Sequence, residues 1–292
     1  MDIFKKFTAR AVKLVSGRAS AALFCDYAYA NEMKTPVHPG YGRGSRNRGA
    51  LEMEYAADGP EKAEEKIFKT GNTDPKGVQN IHVWYPASME EGKKYPLLII
   101  SNGMEFSCTS FIAILQHLAS WGFIAAGNDA LNSGSGETAA KTLEKMLSEN
   151  EKQGSLFHDR IDLDHIGGIG YFQGGAGAIR QATISKNKDH YSALYLASPM
   201  TLPFIEKAKA AAWSYDPSQI TVPVFIASGG DGIENGILAP KEDMEGIYQA
   251  AKGPAVIGRM KGEDHLRVMT RADAYMTAWF LSLIHISEPT RR

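Results

Sequence analysis

Gly170-Tyr171-Phe172-Gln173-Gly174-Gly175 is the stretch on which the reading of this 292-residue chain turns. It follows an apolar run, His165-Ile166-Gly167-Gly168-Ile169-Gly170, and it precedes a helix-forming segment from Gly174 to Ile184. A strand that turns sharply into a helix needs small residues beside the turn, so that backbones can approach closely. Gly170, Gly174, Gly175 and Ala176 supply them. Two readings compete. One is a Gly-x-Ser-x-Gly turn in which Phe172 stands where the serine belongs. The other is a glycine-rich turn that holds a phosphate. The second is disfavoured, because such a turn follows the first strand of its sheet and this one follows several.

Outward from the turn, apolar runs alternate with helical spacing. Ile81 to Tyr85 alternates and stops at Pro86, and Pro96-Leu97-Leu98-Ile99-Ile100-Ser101 is a continuous apolar run of the kind buried on both faces. Helical periodicity covers Thr109–Trp121, Thr138–Asn150, Gly174–Ile184, Lys241–Ala251 and Arg271–Phe280. Strands are expected at Phe123–Gly127, His165–Gly170, Ser192–Leu196, Val222–Ala227 and Pro254–Gly258. This order predicts an α/β class with a mostly parallel sheet covered by helices on both faces. The acidic stretch Asp58 to Glu65 reads as a solvated turn or short helix, and residues 31–50, rich in Gly, Pro and Arg, read as loop.

Composition narrows the functional classes. A hydrophobic share of 43% with 22% charged residues fits one large globular domain. The formal net charge of −1 gives no basic surplus for nucleic acid. Cys25 and Cys108 are too few for a disulfide framework, no Cys/His cluster has zinc spacing, and no metal or cofactor is expected. No run of about 18 apolar residues is present.

The ends are read separately. Residues 2–24 carry Lys5, Lys6, Arg10 and Lys13 among apolar positions. They are compatible with a helix packed on the domain or left loose, with a basic amphipathic helix on a membrane surface, or with a weak signal peptide ending near Ala28-Tyr29-Ala30. Arg18 interrupts the apolar stretch and argues against export, so the expected compartment is the cytoplasm. The tail from Leu281 to Arg292 resembles an in-frame translation of a transposase-type sequencing adapter and is expected to be non-native. The expected organisation is an N-terminal extension of helix and loop over 1–77, one domain over 78–280, and the tail over 281–292.

Several further segments carry a family resemblance. They are Tyr95-Pro96 leading into Leu97–Ile100, Asn102-Gly103, Leu118-Ala119-Ser120-Trp121-Gly122-Phe123, Gly170 through Ala178, Asp264-His265, and Tyr275 to Phe280. Over roughly residues 78–280 the chain resembles bacterial α/β-hydrolases of the dienelactone hydrolase, chlorophyllase and polyester (cutinase-like) hydrolase type. The resemblance implies the α/β-hydrolase fold and hydrolysis of carboxylic esters through a Ser-His-acid triad without a cofactor, on a small-molecule ester or acyl ligand. It makes the segment from Gly170 to Gly174 the nucleophile elbow, with Phe172 at the nucleophile position. It makes His265 the base. The acid is expected just after the strand Val222–Ala227, with Asp231 nearest the strand end slightly preferred and Glu234 the alternative. The oxyanion hole would use the backbone N–H groups of Gln173 and Met104.

A phenyl ring has no lone pair for attack on a carbonyl. Three readings follow: a pseudoenzyme that binds a ligand or partner, a serine hydrolase whose serine codon differs at one base, and water activation by His265 with a carboxylate. Ser107 and Cys108 lie beside the oxyanion segment rather than at the turn, so neither is a ready substitute.

Overall fold

The computed structural model describes residues 50–265 and 267–284. The expectations for residues 2–24 and for the tail beyond Ile284 lie outside the described residues. An eight-stranded sheet forms the centre, in the order β1-β2-β4-β3-β5-β6-β7-β8. Its strands are β1 (Ala63–Lys69), β2 (Asn80–Pro86), β3 (Tyr95–Ser101), β4 (Ile124–Asn128), β5 (Ile161–Tyr171), β6 (Tyr191–Ala197), β7 (Val224–Gly229) and β8 (Ala255–Met260). β2 runs antiparallel to both of its neighbours. All the other pairings are parallel.

Helices cover both faces. Those that matter here are α1 (Ala50–Tyr55), α2 (Ile112–Ser120), α3 (Glu137–Glu151), α4 (Gln173–Thr183), α5 (Leu202–Lys207), α6 (Lys241–Ala250), α7 (Val268–Arg271) and α8 (Asp273–Ile284). The pleat of β5 shows the two layers. A Cβ at Gly167 would meet Phe280 of α8, whereas one at Gly170 would meet Ala178 of α4. Residues an odd number apart on a strand point to opposite faces. β3, with helices on both sides, is buried at every position, as its continuous apolar run predicts.

The domain starts earlier than residue 78. Ala63-Glu64-Glu65-Lys66-Ile67-Phe68-Lys69 pairs along its length with β2 and forms the sheet edge, so the end of the acidic stretch is strand rather than solvated turn or helix. Charged side chains suit an exposed edge, where they discourage pairing with another chain. The preceding residues are also fastened to the domain. The Ala57 carbonyl accepts from His117 Nε2 at 2.7 Å and from Trp121 Nε1 at 3.0 Å, and the Gly59 N–H donates to Ser120 Oγ at 2.8 Å.

His117 joins α2 to α8 as well. Its Nδ1 lies 2.8 Å from Asp273 Oδ2, and both side chains are almost wholly enclosed. Burial alone would push the imidazole pKa down, but the Asp273 charge and hydrogen bond, with the Ala57 carbonyl, outweigh it and raise the pKa. At the other end, α8 continues past Phe280 to Ile284, with Leu281 and Leu283 packed against the core. The boundary expected at residue 281 therefore falls within a helix. Among the described residues, no helix is long and apolar enough to cross a membrane.

Candidate active site

The loops that leave the C-terminal ends of β3, β5, β6, β7 and β8 converge, which is where parallel α/β sheets bind ligands. At the centre is the turn from β5 into α4. Phe172 there has φ 48° and ψ −111°, a conformation that costs a non-glycine residue about 1–3 kcal/mol and clusters at functional sites. Three backbone hydrogen bonds hold it. The Phe172 N–H donates to the Ala197 carbonyl at 3.0 Å, and the Phe172 carbonyl accepts from the N–H groups of Gly175 and Met200 at 2.9 and 2.8 Å.

The glycines around the turn answer to close approach. A Cβ at Gly174 would lie 2.0 Å from the Ser101 carbonyl oxygen, and one at Gly170 would lie 2.6 Å from both the Gly174 carbonyl oxygen and the Gly175 Cα. A Cβ at Gly175 would meet the Pro199 Cα at 2.6 Å. Real Cβ atoms do not come so near to backbone, so α4 packs against β3 and β6 only because these positions are bare.

The Phe172 ring is buried, with 5% exposure. It meets the Phe204 ring of α5 edge to face at 5.5 Å between centroids, and the His265 imidazole edge to face at 4.7 Å. His265 lies in the loop after β8, and Tyr171 supports it from the other strand end. The two rings are 5.1 Å apart, and the Tyr171 hydroxyl donates to the His265 carbonyl at 3.2 Å.

Of the two carboxylates expected after β7, Glu234 is the one that reaches His265. His265 Nδ1 lies 2.6 Å from Glu234 Oε2. The chain leaves β7, passes Asp231 and enters a π-helical turn at Glu234–Leu238 that brings the carboxylate back beneath the histidine. Glu234 is fully buried. Its other oxygen, Oε1, accepts from the Gly229 N–H at 3.1 Å and from the Ser198 hydroxyl. Burial alone would raise the Glu234 pKa, but the His265 charge and these hydrogen bonds outweigh it, so the carboxyl lies below its ordinary value. An ionised carboxylate accepts from Nδ1–H, which leaves Nε2 as the acceptor of the neutral imidazole. Asp231, preferred from its place at the strand end, is exposed and not paired with the histidine; its backbone N–H goes to the Glu263 carbonyl at 3.3 Å. The preference for Asp231 is corrected on this geometry.

The expected oxyanion donors belong to the turn itself and to the loop after β3. Gln173 is the first residue of α4, so its N–H has no partner within the helix. Its side chain is anchored where Oε1 accepts from the Ser133 N–H at 2.7 Å. Met104 follows Asn102-Gly103 after β3. Asn102 Nδ2 fixes this loop by donating to the carbonyls of Asn128 and Ala130 at 2.8 and 2.9 Å. A Cβ at Gly103 would come 2.6 Å from the Tyr171 ring, so the loop crosses directly against that side chain. The Glu105 N–H is engaged by the Leu131 carbonyl at 3.1 Å.

Neither Cys108 nor Ser107 is placed as a substitute for a residue at the turn. Cys108 is fully buried, and that burial pushes its thiol pKa well up, away from the thiolate. The Ser107 hydroxyl is paired with Thr109 Oγ1 at 2.5 Å.

Sequence reasoning missed three residues of this cluster: Ser198, Tyr171 and Phe204. A serine-proline pair closing β6 is a weak signal for the first. Nothing in the pattern marked the other two. No family model and no curated protein matches the chain.

Proposed function

We propose that the chain carries the scaffold of a carboxylic ester hydrolase with the α/β-hydrolase fold, and that Phe172 is the single element that stops it from working as one. The observation that carries the reading is the arrangement around position 172. A strained strand-to-helix turn presents its ring with its centroid 4.7 Å from that of the His265 imidazole, which is itself hydrogen-bonded to a buried carboxylate, Glu234. Chain order adds support. The nucleophile position follows β5, the acid follows β7 and the histidine follows β8, which is the order Ser…Asp/Glu…His of this fold.

A serine at position 172 would pass its proton to His265 Nε2 as its oxygen attacks the ester carbonyl. The N–H groups of Gln173 and Met104 are the donors for the oxyanion. Glu234 holds the imidazole in the right tautomer and stabilises the imidazolium. The histidine then returns the proton to the departing alkoxide, and water repeats the sequence on the acyl-enzyme. The phenyl ring offers neither proton nor lone pair, and it occupies space beside the imidazole. The packing of the ring against Phe204 and His265 keeps the scaffold intact without a serine, so a second reading is a non-catalytic protein that binds an acyl ligand on the same scaffold.

The test compares the chain as written with Phe172→Ser on a short-chain nitrophenyl ester. Turnover in Phe172→Ser exceeding the parent by at least about 10³-fold is expected, the order of magnitude that a triad member supplies. Equal rates would remove Phe172 as the defect. Two folded but inert proteins, with a thermal shift on adding fatty acyl ligands, would favour the binding reading.

A further inference from the structure

Ser198 closes β6 in a conformation that serine seldom takes. Its φ is 44°, in the left-handed region that glycine enters at no cost. The residue is fully buried. Its N–H donates to the Ala227 carbonyl at 2.7 Å, and the next residue, Pro199, packs against Gly175 of the elbow helix. A turn that needed only this backbone shape would be served better by glycine.

The hydroxyl supplies the reason for a side chain. It donates to Oε1 of Glu234, the oxygen that also takes the Gly229 N–H, while Oε2 takes His265 Nδ1. Two donors on one oxygen fix the rotation of the carboxylate about its terminal bond and keep the second oxygen turned to the imidazole. The Gly229 N–H alone leaves that rotation under weaker restraint. We infer that Ser198 is a positioning residue for the His265–Glu234 pair, acting through the carboxylate rather than on substrate. This role rests on the hydrolase reading of the site.

The test uses the Phe172→Ser chain as parent. Ser198→Gly removes the hydroxyl and relieves the backbone, so its melting temperature should hold or rise. Its kcat should nevertheless fall about 10–100-fold with little change in KM, the range expected for loss of a hydrogen bond to a charged group. Ser198→Ala removes the hydroxyl but keeps the strained backbone, so it should lose kcat similarly and also melt lower. A second arm needs no catalysis. In the chain as written, the proton between His265 Nδ1 and Glu234 should give a downfield NMR signal that broadens or vanishes in Ser198→Gly. A Ser198→Gly chain with parental kcat, or with that signal unchanged, overturns the assignment. A Phe172→Ser parent with no turnover instead counts against the hydrolase reading, and the NMR arm still decides on Ser198.

Discussion

The rings of Phe172 and His265 meet edge to face, with centroids 4.7 Å apart and planes at 84°. Such a contact is worth about 0.5–1.5 kcal/mol beyond the area it buries. It stabilises the loop that carries the histidine, and it places an inert ring at the position proposed for a nucleophile.

The identity of the acid is open to direct trial. In the Phe172→Ser background, Glu234→Gln should lower kcat by about 10³–10⁴-fold, the scale set by loss of the orienting carboxylate in a triad. Asp231→Asn should leave kcat within about twofold, because surface substitutions away from the site have small effects. Steady-state kinetics on the two variants reads this directly, and a reversed ranking would return the role to Asp231.

The elbow glycines should tolerate nothing larger. Gly174→Ala drives a Cβ to 2.0 Å from a backbone oxygen that no rotamer change can move. The expected cost is about 3 kcal/mol or more, at or beyond the upper range for overpacking. Gly246, inside α6, has nothing within 4 Å of its Cβ position. Gly246→Ala should stabilise the fold by about 0.5–1 kcal/mol, the helix-propensity difference. Urea denaturation of both variants makes the comparison.

His117 predicts a pH dependence of stability at neutral to alkaline pH. Its folded pKa is raised above the unfolded value, chiefly by Asp273 acting against burial. A raised histidine pKa means that its contribution is fully present below about pH 6.5, the unfolded value, and is lost as pH climbs through the folded value. Asp273→Asn should flatten this slope and, because it removes the negative charge beside the buried histidine, should cost about 3–5 kcal/mol at pH 6. Melting temperatures measured from pH 5 to 9 for both proteins give the two slopes.

How much of this was legible in the sequence varies with the physical signal. Buried strands such as Leu97–Ile100 announce themselves, because a strand covered on both faces must be apolar throughout. β1 does not, since an edge strand exposed on most positions reads as a charged run. The sharp strand-to-helix turn was readable from its glycines, whereas His265 was singled out by the family resemblance. The acid was not decided, because a π-helical turn advances the chain differently from an extended loop and returns Glu234, not the nearer Asp231, to the histidine. Ser198 depends on a left-handed backbone angle that serine does not advertise.

The nucleophile role proposed for position 172, with His265 as its base, is open to a direct trial. The most direct measurement is covalent labelling of the Phe172→Ser chain with a fluorophosphonate, which a nucleophilic serine attacks at phosphorus with loss of fluoride. The adduct is then located by mass spectrometry of the peptides. A near-stoichiometric adduct is expected at position 172, none in the chain as written, and a severe loss of labelling when His265→Ala is added. A folded Phe172→Ser protein with no adduct at position 172, or one labelled as quickly without His265, would contradict it.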